Sequence, residues 1–337
     1  VRIPRRLVLL LVVLGAWGLA ELAHLRGFEH APGYRYGTAL LLAIGLFAST
    51  AGIDRAEAAV HKRLILLAVT VGVLLKAAII GGLLYLATSN PVFLVLGIAV
   101  AQIDPLSVAA IMGDDRMSAR VKAILASWAS FDDPVTVILV IYAPVVLGST
   151  SDSGRALGGY GLDVLLNLAF AAVAYGVWRL LRDRPRLLYP VLAVLLAVAV
   201  WQFLMLGVAI AGLFVRPAWL IRHVGRATTW ALLAAGALLG LLLVNGISLG
   251  YGVALGVMAF VAQIVAALLL SRGLNRDERI TLALAQQNGI TAIILALRLE
   301  VDIPTAVAVI APAILVTNVI HAVANARRPT PTTPPPA

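Results

Sequence analysis

The chain has 337 residues, of which 61% are apolar and only 12% charged, with a mean hydropathy of +0.99 and a formal net charge of +10. A soluble chain carries about a quarter charged residues, so near-continuous apolar runs of about 20 residues define a polytopic α-helical membrane protein rather than a soluble domain or a barrel. The absence of cysteine excludes disulfides, thiolate metal sites and cysteine nucleophiles. The basic residues lie mostly in short loops between apolar runs, where they set orientation and meet anionic lipid, not nucleic acid.

The first apolar run follows Arg2, Arg5 and Arg6 without a convincing cleavage site, so it reads as a retained span, 7–23, with a cytoplasmic amino end. An external loop at 24–36 leads to span two, 37–53, and the charged loop Asp54 to Arg63 leads to span three, 64–87, which carries Lys76 near its middle. After the uncharged turn 88–91, span four at 92–112 contains Asp104. A loop with Asp114, Asp115 and Arg116, read as solvated, precedes span five at 123–147, which contains Asp132 and Asp133. The Gly/Ser-rich segment 148–160 reads as an external loop, and span six, 161–181, ends in a cluster of arginines.

Segment 187–215 reads as two short spans turning near Met205–Gly207, because a single span would carry Arg216, Arg222 and Arg226 outside. Spans nine to twelve fall at 227–245, 250–271, 280–298 and 304–325. Twelve spans with both termini cytoplasmic satisfy the charge rule at nearly every loop. Residues 1–328 form a single transporter domain in this reading, and the Pro-rich tail, 329–337, is disordered.

Spans three to five and ten to twelve run in opposite directions, and the middle member of each trio carries a helix breaker. These are Ile103–Asp104–Pro105 in span four and Gln287–Asn288–Gly289 in span eleven. Interrupted helices at matching positions of two inverted halves point to a midplane substrate site, where unwound backbone supplies ligands.

An ionised carboxylate in hydrocarbon costs roughly 2.5–3.5 kcal/mol even on insertion scales, so Asp104, Asp132 and Asp133 mark a site shared with protons or a cation. The plainer reading, neutral hydrogen-bonded core acids, suits one such residue better than three. Neighbours on a helix lie about 100° apart, so one of Asp132 and Asp133 faces an aqueous cavity while the other meets a partner helix. Pro134 and Pro105 each lack an amide hydrogen and free the carbonyls of Ser130 and Ala101. Carboxylates with freed carbonyls make an all-oxygen site suited to hard monovalent cations or protons. Lys76 is an internal counter-ion or a residue lining a cavity; Gln263 and Asn288 are ligands or interhelical glue. His24, His30, His61, His223 and His321 read as span-end or loop residues, which speaks against a buried histidine relay. No nucleotide-binding loop or hydrolase motif is present, so neither an enzyme nor a cofactor is expected.

These residues resemble the monovalent cation:proton antiporter superfamily, the sodium/hydrogen exchangers, over roughly 37–325. The resemblance rests on AQIDPLSVAAIM, on FDDP one helix later and on LALAQQNGITAIILAL. It implies an all-α fold with two crossed discontinuous helices, in which core helices at about 64–147 and 250–325 move against a dimerising scaffold. Asp133 would be the essential ion- and proton-binding carboxylate, Asp132 the position that is Asp or Asn in different branches, and Asp104 the acid of the first break. Ile103 stands where the family has Thr, Gln263 where one branch has Lys, and the other branch's Arg at the second break has no match. Lys76 occupies the corresponding position in the inverted repeat. The expected protein is a homodimeric antiporter of a prokaryotic cell membrane that exchanges sodium, or else potassium, for protons. Ser130, Asn288, Gln263 and Lys76 would support Asp133, Asp132 and Asp104. A coupled carrier of an organic solute on the same fold is the alternative. An intramembrane aspartyl protease is remote, since the Tyr-Asp and Gly-x-Gly-Asp contexts are missing.

Overall fold

A computed structural model describes residues 5–326 apart from 32, 54–58, 61, 106–107, 109–116 and 147–152. The tail, the Asp114–Asp115–Arg116 loop and most of the Asp54–Arg63 loop thus lie outside the described residues. Helices occur at α1 (Arg5–Leu22), α2 (Tyr34–Ala51), α3 (Lys62–Thr88), α4 (Val92–Val100), α5 (Ala119–Val146), α6 (Ser153–Leu181) and α7 (Pro185–Trp201). They continue as α8 (Met205–Phe214), α9 (Ala218–Leu242), α10 (Leu249–Leu270), α11 (Arg276–Ala283), α12 (Ile290–Glu300) and α13 (Ala306–Ala326). The described residues include six helices long and apolar enough to cross a membrane: α3, α10, α13, most of α5 and α6, and α9 with its short 3-10 end. The chain is an all-α integral membrane protein.

Two spans are broken. Helix α4 ends at Val100, residues 101–104 run unwound, and helical backbone resumes at Pro105. Helix α11 ends at Ala283, residues 284–289 are largely unwound, and α12 begins at Ile290. With a rise of about 1.5 Å per residue, pieces such as α4 and α12 reach roughly half the hydrocarbon thickness. Each broken span is the middle of three, between α3 and α5 or between α10 and α13. This is the arrangement expected from the two breaker-containing segments.

The buried residues of α3 include Val73, Lys76, Ala77, Ile80, Gly81 and Leu84, a helical stripe facing the protein, while Leu74, Leu83 and Leu86 face outwards. Lys76 lies in the middle of that stripe. A π turn at Ala68–Gly72 precedes it and resets the helix face by one residue. Helices α3 and α4 meet at Gly81 and Gly97, where a Cβ on either would overlap the other helix's backbone. Of the six long apolar helices α5 is the most enclosed, with buried residues around its circumference from Val121 to Val140, so Asp132 and Asp133 are both internal despite pointing in different directions.

Four local expectations are corrected. Residues 153–160 of the expected external loop belong to α6; once 161–181 is nucleated, extending the helix through Gly and Ser costs only propensity. Segment 185–214 does form two helices, but the turn lies at 202–204, with Phe203 at φ 55°, not at Met205–Gly207. Gly207 instead lets α8 approach α6, and its N–H donates to Asn167 Oδ1 at 2.7 Å. Pro105 does not kink a continuous helix; helical backbone resumes at it after the break, where its missing N–H is harmless, and Val108 N donates to Asp104 O at 3.0 Å. His321 is not a peripheral residue: it is 5% exposed within α13, and its Nδ1 lies 2.8 Å from Leu284 O at the second break.

Candidate functional site

The two breaks cross and satisfy each other. Asp104 N donates to Gln287 O at 2.9 Å, and Asp104 Oδ1 accepts from Ile290 N at 3.1 Å, capping the first turn of α12 with a carboxylate. On the other side of the crossing, Gln286 Nε2 donates to Gln102 O at 2.7 Å and Asn288 Nδ2 to Val100 O at 3.0 Å. The carbonyls left open at the end of α4 are thus met by neutral amides. Asn318 of α13 pins the second break, accepting from Asn288 N at 3.1 Å and donating to Asn288 O at 2.8 Å. Gly289 is required at this crossing because a Cβ there would fall inside the Asp104 carboxyl group.

Asp132 and Asp133 diverge from this centre. Asp132 Oδ2 takes Lys76 Nζ at 2.8 Å and Ile103 N at 3.0 Å, and both side chains of the ion pair are wholly excluded from solvent. Lys76 Nζ also lies 5.6 Å from the centre of the Trp128 ring. Asp133 Oδ2 accepts from Thr291 Oγ1 at 2.7 Å. With the Gln102 amide oriented to satisfy both its ends, its nitrogen donates to Asp133 Oδ1 at 2.7 Å and its oxygen accepts from Ala292 N at 2.7 Å. The Asp133 carboxylate is therefore held by the first unwound segment and by the first turn of α12 at once.

Asp133 also lines a cavity of about 280 Å³ with Gly45, Ala48, Ser49 and Gly52 of α2, Pro105, Val108, Ala126, Ser130, Thr228 and Ile290. The cavity runs toward the ends of the helices that carry the basic loops. Arg216, just before α9, donates to Ile53 O at 2.8 Å just past α2, which places these two ends together. Ser118, before α5, donates to Glu278 Oε1 of α11 at 3.0 Å on that same basic face. At the opposite face Tyr34 Oη of α2 donates to Leu297 O of α12 at 2.7 Å, above a tightly buried run from Ile290 to Leu297. A second cavity of about 380 Å³, among α2 and α6–α9, is apolar and apart from the acids.

The structure brings Asp104, Asp132, Asp133, Lys76, Asn288 and Ser130 into one region. The carbonyl that Pro134 frees on Ser130 is taken by Ser49 Oγ at 2.8 Å, so α5 stays continuous through its proline and that oxygen is already engaged. Gln263 Nε2 donates to Leu282 O of α11 at 2.9 Å, bridging α10 to the helix before the second break. Four site residues escaped the sequence reading: Gln102, Gln286, Thr291 and Asn318. The first three are polar residues within three positions of a breaker, and that proximity was their signal; Asn318 had none beyond lying inside an apolar span.

Two broken helices cross between the two trios of helices, and this fold is shared with a solved transporter. Among solved structures, the chain is similar to the sodium proton antiporter MjNhaP1 from Methanocaldococcus jannaschii at pH 8, with a TM-score of 0.63 and 17% identity, covering 94% of this chain and 95% of that one. No protein-family model and no curated protein matches the sequence.

Proposed function

We propose that the chain is a secondary antiporter that exchanges a monovalent cation, sodium before potassium, for protons by alternating access. The observation that carries this reading is the unlike state of the two adjacent acids. Asp132 is closed off by a buried ammonium and a backbone N–H, whereas Asp133 is 1% exposed yet forms part of a cavity wall. One carboxylate at the end of a cavity holds a proton or a cation but not both, and that competition couples the two fluxes. Asp104 serves the architecture by capping α12 and holding the crossing. Lys76 and Ile103 N occupy Asp132, which leaves Asp133 as the exchanging group. The likeness in fold to a sodium proton antiporter supports the class of reaction.

In the cycle, the cavity of the basic face admits the ion while the Tyr34–Leu297 contact and the Ile290–Leu297 packing close the other side. Movement of the α3–α5 and α10–α13 unit against α2 and α9 would reverse that access. Purified protein in liposomes with an internal pH dye and an imposed proton gradient tests the proposal. Addition of Na⁺ or K⁺, but not choline, should move protons. Folded protein that responds to no alkali cation would refute it.

A further inference from the structure

Most helix threonines here use the hydroxyl on their own helix. Thr38, Thr50, Thr88, Thr228, Thr281 and Thr317 each donate to the carbonyl one turn back, at 2.7–3.1 Å. That bond is the ordinary resting place of a threonine hydroxyl in an apolar helix. Thr291 cannot make it in the same way. The residue one turn back is Gln287, which lies in the unwound segment and whose carbonyl accepts from Asp104 N. The hydroxyl is left to turn outwards, and it donates to Asp133 Oδ2 with both residues 1% exposed.

We propose that Thr291 is a ligand of the transported cation, alternating between two roles. With no cation bound, its O–H donates to Asp133, as in this structure. When a cation reaches Asp133 from the cavity, the hydroxyl rotates its proton away and presents its oxygen lone pairs to the ion. A hydroxyl is suited to this exchange because it is both donor and acceptor. The backbone N–H groups around it lack that freedom: Ile290 N is committed to Asp104 and Ala292 N to Gln102. Thr291 and Asp133 then contribute hard oxygens from α12 and α5, the chemistry that selects a small alkali cation. Because Thr291 lies in the first turn of α12 beside the crossing, the same residue ties ion occupancy to the position of the broken helix.

This inference rests on the exchange reading given above, and one experiment separates the two. Cation-dependent proton movement is measured in liposomes for wild type, Thr291→Ser, Thr291→Val and Thr291→Cys, each with its Tm. Serine keeps the oxygen; valine keeps the shape and removes it; cysteine keeps a weak donor but replaces the hard oxygen. A ligand role predicts near-wild-type behaviour for serine. For valine and cysteine the cation concentration at half-maximal rate rises about tenfold or more, with the maximal rate far less affected. If valine does not fold, cysteine against serine carries the test. A wild type that exchanges, with valine or cysteine at unchanged half-saturation, overturns the assignment of Thr291 alone. Equal loss in serine and valine, with lowered Tm in both, also overturns it and makes the residue structural. A wild type that moves no protons overturns the exchange reading and this inference with it.

Discussion

Lys76 Nζ lies 2.8 Å from Asp132 Oδ2, and neither side chain has any contact with solvent. The pair joins the first and third helices of one repeat across the unwound segment of the second, and Ile103 N of that segment donates to the same carboxylate oxygen. A buried pair adds little to stability compared with apolar residues of the same shape, but breaking it strands a charge.

Lys76→Met should therefore lower stability steeply, by about 3–5 kcal/mol, because the buried Asp132 loses its cationic partner. Adding Asp132→Asn should restore most of the loss. Thermal unfolding in detergent of the two single variants and the double variant checks this, with a double variant as unstable as Lys76→Met as the contrary result.

Gly289→Ala places a methyl group inside the Asp104 carboxyl group. The crossing must then open, at a cost of about 1–3 kcal/mol for overpacking. A lowered Tm and transport reduced to liposome background are expected. Unaltered transport would show that the close approach of Asp104 and Gly289 is dispensable.

Ser49→Ala removes the donor to the Ser130 carbonyl that Pro134 leaves unpaired. A moderate loss of stability, roughly 1 kcal/mol, is expected on the scale of interhelical hydrogen bonds in membranes. Combining it with Pro134→Ala, which restores an N–H to that carbonyl, should recover the loss in a double-mutant cycle.

Much of this architecture was legible in the residues. Two acidic positions in apolar runs, Asp104 and Asp132–Asp133, each followed by proline, drew attention to residues that the structure brings together, and breakers at Asp104 and Asn288 located the two unwound segments. The rule of basic loops placed two helices in 185–214. What was not legible depended on through-space packing. Gly207 is a turn residue by its type and a contact residue by its surroundings, and His321 lies near the end of its span yet is buried. The partner of Lys76 could not be read from its own span, since Asp132 is 56 positions away. Nor does the one-dimensional pattern say that a neutral pair of amides, Gln286 and Asn288, meets the carbonyls of the first break.

The central claim is that Asp133 holds either a cation or a proton. Titration calorimetry with Na⁺ and K⁺, repeated in buffers of different ionisation enthalpy, counts the protons released as the cation binds. For at least one of the two ions the account predicts about one proton released per cation bound at a pH where Asp133 starts protonated, and none with Asp133→Asn. Cation binding with no proton release in the wild type, or unchanged release in Asp133→Asn, would contradict it.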